Sequence, residues 1–573
     1  MVMKPSLAGE RPLHLALTLV CLSLSLWASP GAGQDMDHAH HSMHGGTGAV
    51  WPMPPMKMPM MEGMNELVPS VQPFLPAPGS DLSAFQIAEV SRLVELSDGD
   101  TLTLRVSLVR REINGREYLM YGYNGQYPGP LIRAPVGSTP VIHVINEIEL
   151  PTTVHWHGVR LDNRFDGVPG LTQDPIAPGE SFYYHVHVRD AGMFWYHPHV
   201  REDVQQGLGL YGNLLVVPDV EGNEYAPVNQ EELLALDDIL MSSDGQLIPF
   251  GLEYPTHALM GRFGNVFLTN GRTDHRIDVE RDAVVRFYLT NVASARTFNI
   301  QFGGHPVKLV ASDIGRYERE QWVGSVIIAP AERYVIEARF GHSGTVAITN
   351  TVQAVDKWTG TFYLEVDTLA LVEVGGSPVK EDFGSRFELL AESPDVIFDM
   401  DTFRGEFDRV PDLELVTTLR TQGLPLPILR MMEIDTLFVP PVEWNDPMPM
   451  MNWVSTGREV TWILRERDTG RENEEISWVF QKGDVVKIRV FNDPRSFHPM
   501  NHPIHIHGQR FLVVARDGVP QENLVWKDTA LLPVGSTMDL LVEMSNPGRW
   551  MVHCHIPEHL HTGMMFNFTV LDD

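Results

Sequence analysis

From about residue 82 onward the chain is a succession of short alternating segments cut by glycine- and proline-bearing turns, and no other feature limits its fold so tightly. "TLTLRVSLVRREI", "STPVIHVINEI" and "SFYYHVHVRD" alternate with a period of two, which lines apolar side chains along one face of an extended strand. "NGQYPGP" and "APGE" separate them, and the texture continues through "DHRIDVERDAVVRFYLTN" and "ERYVIEARFGHSGTVAITN" to "GDVVKIRVFND" and "STMDLLVEMSNPG". Long amphipathic helical patterns are nearly absent. The chain therefore reads as all-β, built of several Greek-key sandwiches or barrels. Its 573 residues exceed what one core holds. Three blocks are expected, at 82–218, at 219–394 with an acidic linker at its end, and at 395–573. The phrases "VGSTPVIHVIN", "ERDAVVRFYLTN" and "KGDVVKIRVFND" each run to an Asn and recur once per block, which points to a repeated β unit.

Ahead of the blocks the chain changes character. Lys4 and Arg11 precede the apolar run "LHLALTLVCLSLSLWASPGAG", which ends in small residues. Residues 1–33 read as a signal peptide, with a single membrane anchor as the competing reading; export to the periplasm or the extracellular space is expected. No later run is apolar enough for a stable membrane span. Residues 34–81 include "DMDHAHHSMHGGTGAVWPMPPMKMPMMEGM", show no period, and read as a flexible Met/His/Pro-rich leader. The formal net charge of −31 repels phosphates and excludes nucleic acid, whereas cations, neutral phenols and amines remain suitable partners. One of the two cysteines, Cys21, lies in the apolar run. Once that run is removed Cys554 stands alone, so the exported chain has no internal disulfide framework.

That thiol lies in "HCHIPEHLHTGM", residues 553–564, and three other histidine clusters accompany it: "HWHG" at 155–158, "HPH" at 197–199 and "HPIHIHG" at 502–508. A single His-x-His pair on a strand is ordinary; four clusters in one chain are not. His502, Cys554 and His559 form a trigonal His2Cys set with Met564 on a weak axial side, the ligand set of a blue-copper electron-transfer centre. On a strand, His553 and His555 point away from the thiolate, towards the opposite face. Together with His155, His157, His197, His199, His505 and His507 they make eight imidazoles, too many for one ion and suited to several. His-Cys-His would then wire an electron-collecting copper to a multinuclear cluster.

These residues resemble the multicopper oxidase family, of the three-domain laccase-like type. Supporting phrases include "NGQYPGPLIRAPVGS", "HWHGVRLDNRFDGVPGLTQDPIAPGESFYY", "GLYGNLLVVPD", "FNDPRSFHPMNHPIHIHG" and "WKDTALLPVGS". The likeness is strong across the first and third blocks and weaker through 219–395. It implies three cupredoxin-like Greek-key β-sandwich domains and four copper ions. By it, His155 and His505 bind type 2 copper; His157, His197 and His555 hold one type 3 ion; His199, His507 and His553 hold the other. It implies laccase-like oxidation of phenols or aromatic amines coupled to reduction of dioxygen to water, with Asp166, in "RFDGVPG", as a proton-supplying acid. Many bacterial relatives carry Glu where this chain has Leu560, so the second acid stays unassigned, although Glu558 is near. His561 falls outside every ligand set. The leader and "DPMPMMNW" at 446–453 favour a cuprous oxidase as the alternative reductant class. A non-catalytic copper-binding protein is the other alternative, but storage does not need a cysteine-centred relay.

Overall fold

The computed structural model describes residues 50–55, 66–218, 225–356, 361–435, 445–446 and 449–572. The expected signal peptide and the histidine-rich start of the leader lie outside them. The described chain is mostly strand, arranged in six sheets of four to six strands and one two-stranded ribbon. The six sheets come as three couples, one for each consecutive stretch of chain.

Each couple is built the same way. Thr101–Ile113 lies parallel to Val141–Asn146, Gln230–Ile239 to Ala283–Asn291, and Leu413–Thr421 to Val485–Asn492. Parallel neighbours cannot be joined by a tight turn, so the chain must leave the sheet and return. In each case a strand of the intervening chain, Leu131–Pro135, Arg276–Arg281 or Ser477–Gln481, belongs to the other sheet of the couple. The recurrent asparagines end the second strand of each pair and hold the chain that follows it. Asn146 Nδ2 donates to Leu150 O and Ile176 O, Asn291 Nδ2 to Arg296 O and Ile328 O, and Asn492 Nδ2 to Met500 O and Leu532 O. All three are buried, so an amide with two donors is what the position requires.

Apolar side chains from each stretch gather into three large buried clusters. Within residues 34–81, a few described side chains touch the body of the chain. Trp51 meets Trp453 edge-on with ring centroids 6.0 Å apart, and Pro73–Phe74 pairs with Phe250–Gly251. Isolated anchors of this kind have no period and leave no trace in a periodicity reading. Among the described residues no helix is long and apolar enough to cross a membrane.

Two pairs of adjacent strands carry six of the ten histidines named as candidate ligands. In the first stretch His155–His157 runs antiparallel to Gly192–His197, with His155 opposite His197. In the third, His502–Ile506 runs antiparallel to Gly548–Cys554, with His505 opposite His553 and Ile504 opposite Cys554.

Candidate metal centre

Strand alternation at 553–555 sends one side chain to each of two places. Cys554 turns towards His502 and His559, whose Nδ1 atoms lie 3.5 and 3.6 Å from its Sγ. The chain then makes a short helix, Pro557–Leu560, whose opening proline suits a helix start. That turn brings His559 back beside the strand, and Met564 follows, its N–H donating to His559 O at 3.0 Å and its carbonyl accepting from Cys554 N–H at 3.2 Å. All four side chains are buried. Trp462 stacks on His559 at 4.2 Å and donates from Nε1 to Ala258 O. Burial pushes the Cys554 thiol well above its usual range, so the thiolate needs a cation beside it. Burial pushes His502 down to about 3, which leaves a neutral imidazole ready to ligate.

His553 and His555 face the other way, into a cage of eight buried histidines. Ligand-capable atoms lie within 4.8 Å of one another in His157, His197 and His555, in His199, His507 and His553, and in His155, His157 and His505. Every one of these groups joins the first stretch to the third. The rings are held from outside. His155 Nδ1 donates to Asp166 O, His197 Nδ1 to Pro198 O, His505 Nδ1 to Asp528 O and His553 Nδ1 to Cys554 O, at 2.7–2.9 Å. Carboxylates hold three more: His157 Nε2 donates to Asp528 Oδ1 and His507 Nδ1 to Asp166 Oδ2, and His199 Nδ1 lies against Glu202 Oε1, each at 2.9 Å.

An imidazole that commits its proton outward presents a bare lone pair inward. The inward nitrogens His155 Nε2, His157 Nδ1, His199 Nε2 and His505 Nε2 are buried without a hydrogen bond. His507 Nε2 faces His553 Nε2 at 3.0 Å, and His197 Nε2 faces His555 Nε2 at 3.4 Å. Opposed lone pairs at that separation repel, and cations between them remove the conflict. Burial, reinforced by the neighbouring imidazoles, lowers His157, His197, His505, His507 and His553 well below the usual histidine value. The donor set therefore fits several copper ions.

The structure thus brings together the histidine and cysteine candidates named from sequence, places Met564 in the same buried cluster as Cys554, and sets Asp166 against His155 and His507. Leu560 is buried with Val168 and Met551. Glu558 is buried near Arg262 and Asp203, and burial, with Asp203 adding to it, pushes its carboxyl up to about 8. Sequence reading missed Asp528, Thr529 and Glu202. Thr529 Oγ1 lies 2.9 Å from His157 Nε2 and 3.1 Å from His505 Nδ1. Glu202 bridges His199 to His561, whose ring is partly exposed. The available signals were the Asp-Thr pair in "WKDTALLP" and an acid three residues after His199 in "HVRED".

A family model described as multicopper oxidase matches residues 106–221, and a second with the same description matches residues 443–573. The chain is 25% identical to dihydrogeodin oxidase of Aspergillus terreus, over 85% of each chain. It is 27% identical to the multicopper oxidase MmcO of Mycobacterium tuberculosis, over 81% of this chain and 86% of that one. Among solved structures, a multicopper oxidase of Campylobacter jejuni superposes with a TM-score of 0.62 at 22% identity, covering 89% of this chain and all of the other.

Proposed function

Because the chain belongs to the multicopper oxidase family, we propose that it is an exported, laccase-like enzyme that takes single electrons from small phenols or aromatic amines and passes four of them to dioxygen, giving water. Bound copper would supply the redox chemistry, a thiolate-ligated ion accepting electrons singly and a multinuclear set delivering them together. His502, Cys554, His559 and Met564 would hold type 1 copper. His155 and His505 would hold type 2 copper. His157, His197 and His555 would hold one type 3 ion, and His199, His507 and His553 the other. Asp166 is the acid proposed to supply protons; its support is burial against two cage histidines. The reading includes a signal at 1–33 and three cupredoxin-like domains at 82–218, 219–394 and 395–573, supported by the three sheet couples.

One observation carries the proposal. Cys554 belongs to the His2Cys set while both its neighbours belong to the histidine cage. The peptide bonds on either side of one residue therefore link electron entry to the place where electrons are used.

Copper-loaded protein should consume one dioxygen for every four phenol molecules oxidised, without releasing peroxide, and show an intense visible absorption from the copper–thiolate bond. Cys554→Ser should lose both the absorption and phenol turnover. Retention of the absorption in that variant would remove the central assignment.

A specific observation favours Cu(I) as a second reductant. His502 Nε2 and His559 Nε2, the edges through which organic donors would pass electrons, are buried without partners. Met260, Met450, Met451 and Met500 pack in the same cluster as Cys554 and Met564. Parallel oxygen-uptake assays with Cu(I) and a phenol separate the two; a much larger kcat/KM for Cu(I) would overturn the phenol reading.

A further inference from the structure

The middle stretch contributes none of the eight cage histidines, yet one of its side chains reaches the cage. Arg333 begins the strand Arg333–Phe340 and is wholly buried. Its guanidinium grips the Asp528 carboxylate with both terminal nitrogens, Nη1 to Oδ1 at 2.7 Å and Nη2 to Oδ2. Its Nε donates to Met193 O at 2.7 Å, on the strand that ends in His197. Asp528 Oδ1 accepts from His157, and Asp528 O accepts from His505. Thr529 lies against both rings, which stack with centroids 3.8 Å apart.

The grip is itself supported. Asp313 Oδ1 accepts from the backbone N–H of Arg333 at 2.8 Å, and Lys527 Nζ lies 3.0 Å from Asp313 Oδ2. Only a planar fork can hold both oxygens of a carboxylate while a third nitrogen reaches a separate carbonyl. Gly158 makes room for it. It follows His157 with a φ of +82°, and a Cβ there would overlap Asp528 Oδ2 and Arg333 Nη2. The glycine of "HWHG" thus serves the contact between the middle stretch and the cage.

We propose that Arg333 is a positioning residue for the trinuclear copper cluster: by fixing Asp528 and Thr529 it sets the orientation of His157 and His505. This rests on the oxidase reading above. The type 1 set, His502, Cys554 and His559, makes no contact with the Arg333–Asp528 pair among the bonds described, so the two sites should respond differently.

The test compares the copper-loaded parent with Arg333→Met and Arg333→Lys, reading copper per chain, the blue absorption and the paramagnetic resonance of type 2 copper. Arg333→Met should keep the blue absorption, lose copper from the cluster with an affinity about 10- to 100-fold weaker, and show an altered type 2 signal. Arg333→Lys, which keeps the charge but not the fork, should fall between. Full copper content and an unchanged type 2 signal in Arg333→Met would overturn the inference alone. So would parallel loss of every signal in both variants, since Arg333 would then serve only folding. A parent lacking the blue and type 2 signals would overturn the oxidase reading and this inference with it.

Discussion

Asp166 serves two histidines at once, and its two kinds of oxygen do different work. Its carbonyl accepts from His155 and its Oδ2 from His507, while Oδ1 is buried 3.3 Å from His155 Nδ1 without a hydrogen bond. Asp166→Asn keeps an acceptor for His507 but removes the charge and the exchangeable carboxyl proton. The variant should retain its copper and its blue absorption, while kcat for oxygen uptake falls by about 100-fold. A kcat equal to the parent's would reduce Asp166 to a support for the two rings. The ligands were legible because His-x-His on a strand fixes a shared face, and because Cys554 had no other occupation. Asp528 was not, because what makes it matter is a contact across hundreds of residues, with His157, and a lone acid carries no mark of it. Glu202 stands only three residues from His199, but its spacing alone does not show that its carboxylate turns to that ring.

The short strands announced themselves through alternation, and the Asn that ends one of them in each stretch proved to have one job three times over. The helix Pro449–Val454 did not announce itself, since a proline- and methionine-rich run reads equally as a donor loop or as packing. In the structure its side chains are enclosed: Met450, Met451 and Trp453 are buried, with Asn452 wholly enclosed between them. Asn452 accepts from Met260 N–H and donates to Gly261 O, and Ser455 Oγ accepts from Leu259 N–H. Residues 258–261 are therefore clamped between this helix and Trp462, which lies on His559. Asn452→Ala leaves a buried N–H and a buried carbonyl without partners, at a cost of about 1–3 kcal/mol each. The expected result is a lower Tm together with a rise in kcat/KM for a bulky phenol relative to Cu(I), as the cover over the type 1 set loosens. A lower Tm with that ratio unchanged would show that the helix stabilises the fold without controlling access.

At the scale of the whole molecule, the histidine pairs near both ends of the folded chain already required the first and third stretches to meet. The seam between the first and second stretches was hidden, because it is made by a few polar groups with no pattern. Asp237, on the strand Gln230–Ile239, accepts from Tyr211 OH at 2.6 Å and from Tyr127 OH at 3.4 Å. The Arg111 guanidinium lies over the Tyr127 ring and donates to Gly271 O. Burial pushes the Asp237 carboxyl up to about 7, Tyr211 pulling it back and the Asp238 charge adding to the rise. A carboxyl whose folded value is raised holds its proton in the native state after the unfolded chain has released it. Its contribution to stability is thus full below the unfolded value near 4 and is lost as pH rises through about 7. The loss is at most about 1.4 kcal/mol per pH unit across that window. Asp237→Asn keeps an acceptor for Tyr211 and cannot ionise. The unfolding free energy of the variant relative to the parent should therefore increase from pH 4 to pH 7 and level off above it, as followed by urea denaturation of both proteins across that range. The contributions of all other titrating groups cancel in the difference. A difference that stays flat with pH would mean that Asp237 is already ionised in the folded protein, with Arg111 supplying the compensating charge across the seam.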